Sequence, residues 1–168
     1  MTRWVSSDQL YVSPLPYDHT LFEQTSFRVI AETVFVSHIG GFNFNDPWLT
    51  EKTWITIFNS HPFIMVGEVN TLSKLKQLGY KTFEDYLLIK EYDTLPDKDR
   101  LDATVKNTGY WLEHLSDHKE QIQNDVEHNF KQFVTLAQVE IEKVNNLMKR
   151  YNLTCPFSSL INTSDPNH

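Results

Sequence analysis

The string Trp48-Leu49-Thr50-Glu51-Lys52 sets an aromatic ring, a hydroxyl, a carboxylate and an ammonium within five residues. Asp46-Pro47 before it reads as a helix start, an acceptor side chain at the N-cap followed by Pro where a missing N–H costs nothing. Thr50 is the alternative cap, one turn later. A helix start offers unpaired N–H groups and a partial positive charge, both suited to phosphate. Lys52 adds a mobile ammonium for the same phosphates, and Glu51 is placed to accept hydrogen bonds from a ribose diol. Two further points of the chain fall where such a site needs them. Glu32-Thr33 comes late in one apolar run, and Gly67 closes another, where the absent side chain lets a ligand approach the backbone. A plainer explanation stands beside this one. The helix dipole favours a Glu in the first turn by about 0.3–1 kcal/mol whatever the function, and Thr-Glu-Lys is a common surface string.

The elements that must position these residues follow from periodicity. Phe27 to Val36 is β-branched and apolar on both faces, which predicts a buried strand of a parallel sheet. His38 to Asn45, with Gly40-Gly41 and two Asn, is loop composition. A helix then carries Trp54, Ile57 and Phe58 on one face and ends at His61-Pro62. Pro62 to Gly67 predicts a second strand, and Thr71 caps a helix bearing Leu72, Leu75 and Leu78, closed by Gly79. Thr82 with Asp85 resembles a capping box. Strand, helix, strand, helix in this order is a βαβ unit with a parallel pair. Beyond Pro96, Leu101, Val105, Leu112 and Leu115 form an apolar stripe at helical spacing, with Gly109 as its weak point. Asp117 and Glu120 offer another capping box, and from Ile122 to Met148 the helical period runs without Gly or Pro. Some thirty residues at about 1.5 Å each outrun a small domain, so that helix either breaks near Thr135 or packs on something else. Before Phe27 the pattern is weak; Gln9 to Pro14 reads as a short edge strand. The organisation expected is a Rossmann-like α/β half-domain with a short parallel sheet over 1–95, C-terminal helices packing on that core or on a partner over 96–153, and a tail over 154–168.

Composition narrows the function classes. The chain has 168 residues, 40% of them hydrophobic and 13% aromatic, enough for one core. Fifteen basic against 22 acidic residues give a formal charge of −7, which argues against general nucleic-acid binding. The single cysteine, Cys155, forms no internal disulfide and fits a reducing compartment. No apolar stretch approaches the ~20 residues that span a bilayer, and Met1-Thr2-Arg3-Trp4 lacks a signal-peptide core, so a cytoplasmic protein is expected and its two sequons, at Asn152 and Asn162, carry little weight. Seven His residues are scattered without metal-binding spacing. His38 and His61 lie near the proposed cleft but read as structural or exposed, Asp18-His19 as a lone loop pair, and Asp93 with Asp97 to Asp99 as a solvated acidic helix start.

The segment from Trp48 through Thr50-Glu51-Lys52, Ile55 and Phe58 to His61-Pro62-Phe63-Ile64-Met65-Val66-Gly67 resembles the donor-binding segment of fucosyltransferase-like enzymes. Its continuation, Leu72, Leu75 and Leu78-Gly79-Tyr80-Lys81-Thr82-Phe83, with His128-Asn129-Phe130 further on, resembles a group of phage and marine-viral proteins that share this motif. The likeness is loose over 22–133 and close over 48–83. It implies the C-terminal, Rossmann-like half of a GT-B glycosyltransferase. In the family the Glu contacts the nucleotide ribose, which transfers to Glu51, and the Lys contacts the diphosphate, which transfers to Lys52; Trp48 matches the family's aromatic in kind but not in identity. The ligand-binding set expected is Glu51, Lys52, Thr50, Trp48, Glu32 and Gly67, with a nucleoside-diphosphate sugar as substrate and neither cofactor nor metal. Such enzymes carry acceptor and catalytic base on a second domain, for which this chain has no room, so the expectation is either the donor half of something larger, with transfer needing a partner domain, or a chain that has lost transfer activity. The competing expectation is a non-enzymatic viral interaction or assembly protein, in the host cytoplasm, that associates through its long C-terminal helix.

Overall fold

A computed structural model of the chain describes residues 20–36, 38–39, 42–43 and 46–151. The Gln9–Pro14 strand, Asp18-His19, Cys155, both sequons and the tail lie outside the described residues. The chain is mixed α/β. A short helix α1 (Thr20–Glu23) leads into β1 (Arg28–Ala31); β2 (His38–Ile39) and β3 (Phe42–Asn43) form a two-residue antiparallel ladder; α2 (Glu51–Phe58), β4 (Phe63–Val66) and α3 (Thr71–Gln77) follow. Two 3₁₀ turns, Glu84–Tyr86 and Tyr92–Thr94, precede α4 (Asp97–His114), and a third (Leu115–His118) joins it to α5 (Lys119–Arg150).

The expected parallel pair forms between β1 and β4, with Arg28 opposite Phe63 and Ala31 opposite Val66. β1 is shorter than the apolar run predicts and buried on one face only: Ile30 is in the core, while Val29 and Ala31 are exposed. The last rung is Glu32 N–H to Val66 O at 2.8 Å, after which the backbone leaves the ladder. Thr50 is the N-cap of α2; Asp46 instead pairs with Lys74. Gly79, at φ 88°, ends α3 in the left-handed conformation that glycine adopts freely, and a side chain there would collide with Gln132. Neither of the other expected capping boxes forms: Thr82 donates to Glu84 rather than engaging Asp85, and Asp117 meets the His114 ring.

Phe27, Phe63, Phe83 and Trp111 stack edge to face, with centroids 5.1–6.1 Å apart. Phe83 holds φ 62° there, a conformation costing a bulky residue about 1–3 kcal/mol, and two rings pin it. Trp54 and Phe58 meet Phe133, which fastens α5 on α2.

α4 overturns the expectation from its apolar stripe. Leu101, Val105 and Leu112 are 47%, 65% and 55% exposed, and the helix instead buries Arg100, Ala103, Thr104, Asn107 and Trp111. The reason lies beneath it, in a 79–95 segment without strand partners, whose peptide groups need polar neighbours. Asn107 accepts from Ile89 N–H at 2.8 Å and donates to Ile89 O at 3.0 Å; Trp111 Nε1 donates to Tyr86 O. Arg100, only 1% exposed, donates to Gly67 O, Leu95 O, Phe35 O and Asp97, with its guanidinium over the Phe35 ring.

α5 runs 32 residues without a break. Thr135 returns its hydroxyl to Lys131 O, so nothing there interrupts the ladder. Its buried residues are Ile122, Val126 and Asn129, and Phe133 and Leu136 still touch the core. Val139, Val144 and Leu147 are exposed. No helix among the described residues is long and apolar enough to cross a membrane.

The two faces of α4 should respond oppositely to substitution. Arg100→Met strands three backbone carbonyls and should cost about 3 kcal/mol or more in urea unfolding. Leu101→Ser and Val105→Ser should each stay within about 0.5 kcal/mol of the parent, as exposed substitutions do. Comparable losses on both faces would reverse this orientation.

Candidate functional site

Two buried carboxylates hold the 48–53 segment against the carboxyl ends of β1 and β4. Glu32, just beyond β1, accepts from Thr50 N–H at 3.1 Å and from the hydroxyls of Thr50 and Thr53. Glu68, just beyond β4 and 3% exposed, accepts from Trp48 N–H at 3.2 Å. Its other oxygen, Oε1, is buried without a hydrogen-bond partner among the described residues. An ionised group taken from water is costly unless it is hydrogen-bonded, so these contacts tie the segment firmly.

Of the expected set, the segment presents Trp48, Glu51 and Lys52 outward, while Glu32 and Gly67 are buried and the Thr50 hydroxyl is taken by Glu32. The Trp48 side chain is 58% exposed, Glu51 is exposed, and Lys52 reaches Thr33 Oγ1 at 3.4 Å. The N–H groups of Glu51 and Lys52, the first two of α2, have no partner among the described residues, because Glu32 takes the N–H of the cap itself and two hydroxyls instead. Glu32, Trp48, Thr50 and Lys52 are therefore linked at one edge of the sheet. Gly67 stands beside them with a different neighbour: the space over its Cα is taken by the Thr71 side chain, whose hydroxyl donates to Glu68 O at 2.6 Å. Its carbonyl is held by Arg100.

α3 starts in the same region and is capped from a distance. Its N-cap, Asn70, sits at φ 67° and offers no side-chain cap. Asp93, 4% exposed, supplies it, accepting from Leu72 N–H at 3.0 Å and Ser73 N–H at 3.4 Å. Burial raises the Asp93 pKa to about 6, against those two hydrogen bonds and Arg100, which lower it. The solvated role expected for Asp93 is thus replaced by a structural one, while Asp97 pairs with Arg100 at the helix start. Tyr92 works alongside: its hydroxyl accepts from Met65 N–H at 2.9 Å and donates to Met65 O, as a third strand would, and burial pushes its pKa upward.

His61 lies at the opposite end of the strands. It is buried, bonded to Thr25 and edge-on to Phe22, and burial lowers its pKa to about 4. It is a neutral packing group. His38 falls in β2.

Glu68, Asp93 and Arg100 were not among the residues expected to matter here. A carboxylate directly after a buried strand, before a helix lacking its own capping side chain, is the signal that marks Glu32 and Glu68 together. No family model, curated protein or solved structure matches the chain.

Asp93 and His61 give stability opposite pH dependences. Asp93 is a stronger base folded than unfolded, so its contribution is full below pH about 4 and lost as pH rises through about 6. His61 is a weaker base folded, so its contribution is full above about 6.5 and lost as pH falls through about 4. Relative to the parent, Asp93→Asn should lose stability more steeply on acidification between pH 6.5 and 4, and His61→Gln less steeply, by on the order of 2 kcal/mol across the window. Melting curves of the three proteins at half-unit pH steps measure this; parallel curves would contradict both assignments.

Proposed function

We propose that the chain is a nucleotide-sugar-binding module of glycosyltransferase type, equivalent to a Rossmann-like donor half, that works with an acceptor-binding domain supplied by a partner. One observation carries the reading. Two buried carboxylates fix the 48–53 segment, and that segment displays an aromatic ring, a carboxylate, an ammonium and two N–H groups at a helix start that have no partner among the described residues.

In this reading Glu51 accepts the ribose hydroxyls, and the α2 start with Lys52 faces the diphosphate. The reaction is displacement at the anomeric carbon: the acceptor oxygen forms the new bond as the sugar–phosphate bond breaks, the electron pair leaves with the nucleoside diphosphate, and the acceptor's hydroxyl proton goes to a base on the partner domain. Lys52 and the two N–H groups stabilise that developing charge. Glu32 acts as a positioning residue through Thr50 and Thr53. Its own negative charge sits close by, so the phosphate subsite depends on Lys52 for balance.

A second reading is favoured by α5, where Val139, Val144 and Leu147 are exposed along the last turns and Tyr151 beyond them is 63% exposed. There the protein is an assembly component without catalysis, self-associating through this helix.

Thermal-shift measurements with GDP-, UDP- and dTDP-sugars separate the two. The donor reading expects at least one to raise Tm, by RT ln(1 + [L]/Kd) in free energy, and expects Glu51→Ala and Lys52→Ala to abolish the rise. No response to any nucleotide sugar, with a dimer by light scattering that Leu147→Glu dissolves, would favour the assembly reading.

A further inference from the structure

A cavity of about 510 Å³ lies at the other end of α3, between the 79–86 turn and the first turns of α5. It is the size of a small-molecule site. Its charged walls are arranged in pairs. Lys76 meets Glu84, and Glu84 Oε2 also accepts from the Thr82 hydroxyl at 2.8 Å. The Tyr86 hydroxyl donates to Asp125 Oδ2 at 2.8 Å. The second oxygen of each carboxylate, Glu84 Oε1 and Asp125 Oδ1, accepts no hydrogen bond among the described residues, and the Lys81 ammonium has no partner there. Asp85 is almost wholly exposed and leans toward Lys90, so its charge belongs to the solvent.

The frame around these groups is rigid. His128 Nε2 donates to Gly79 O at 2.8 Å, Asn129 clamps both the N–H and the C=O of Lys81, and Gln132 donates to Leu78 O. Three side chains of α5 thus lock the turn that carries Lys81, and Phe83 keeps its left-handed backbone on the cavity floor.

We propose that this cleft is a second ligand site, separate from the 48–53 edge, and that it takes a neutral polyol, a monosaccharide ring or the end of a glycan. The charges decide the class. With Lys76 and Glu84 neutralising each other and Lys81 offsetting Asp125, the lining keeps one formal negative charge, on the solvent-exposed Asp85. A phosphate or carboxylate would face two carboxylates, and a polyamine two ammonium groups. Adjacent hydroxyls are each donor and acceptor, and meet two carboxylate oxygens on side chains held by Lys76, Thr82 and Tyr86, and the ammonium of Lys81, whose backbone is clamped by Asn129. The half-buried Tyr86 ring, in the cleft lining, supplies an apolar surface for the C–H face of a sugar, while the Phe83 ring is buried between Phe63 and Trp111.

The test is a ¹⁵N chemical-shift titration of the whole chain with the methyl glycosides of glucose, galactose, mannose and fucose, with putrescine and inorganic phosphate as charged probes. At least one glycoside should shift the amides of 79–86 and 125–128 saturably, and Asp125→Asn and Lys81→Ala should each weaken that binding about tenfold. Lys81 is exposed, so its variant keeps the fold even if the Asp125 variant does not. The proposal is overturned if no glycoside saturates, if only putrescine or phosphate shifts these amides, or if both variants bind unchanged. It stands apart from the donor reading, whose ligands would shift 48–52 instead.

Discussion

A peptide group that leaves water must find another partner, and the described residues have few strands to offer one. The parallel sheet is two strands wide, and the 79–95 stretch packed beside it runs without a ladder. Side chains supply what neighbouring strands would. Tyr92 bonds both backbone groups of Met65, Asn107 both of Ile89 and Asn129 both of Lys81. Each does so from a buried position, where an unmatched donor or acceptor would cost about 1–3 kcal/mol. The structure depends on this substitution of side chain for strand.

The same constraint shapes the proposed site. Both helices that follow the parallel strands begin without a capping side chain of their own, and both are fixed by carboxylates from elsewhere in the chain. Glu32 steadies α2 through its cap residue and Asp93 caps α3 directly. Because Glu32 works through Thr50 N–H and two hydroxyls, it leaves the first N–H groups of α2 without a partner among the described residues.

Helix orientation follows the polar demand rather than the apolar supply. α4 turns Arg100, Thr104 and Asn107 inward because the irregular chain below needs donors and acceptors, and Leu101, Val105 and Leu112 face out as a result. Its Arg100 joins the ends of both parallel strands, through Gly67 on one and Phe35 after the other, and so couples α4 to the edge that carries the site. α5 uses its first four turns in the same manner, reading the 78–81 turn with His128, Asn129 and Gln132, and spends its aromatic rings on α2.

Local rules acting over a few residues made much of this legible in the sequence. The alternation of apolar runs with Thr and Gly signals located β1, α2, β4 and α3, their parallel pairing follows from their order, and the helical period after Asp117 is legible, but not that it runs unbroken past Thr135. The positions of Glu32, Trp48, Thr50 and Lys52 at the strand ends also follow from chain order, since a strand and the next helix start must meet there. Which side of α4 is buried did not follow. Hydrophobic periodicity assumes that a core wants apolar faces, and here the surface to be covered was a run of unpaired peptides. Nor did the partners of Glu68, Asp93 and Arg100, whose bonds to Trp48, Leu72 and Phe35 cross 20 to 65 residues. A carboxylate in a sequence carries no mark of the helix end it will meet; only the folded chain brings the two within reach.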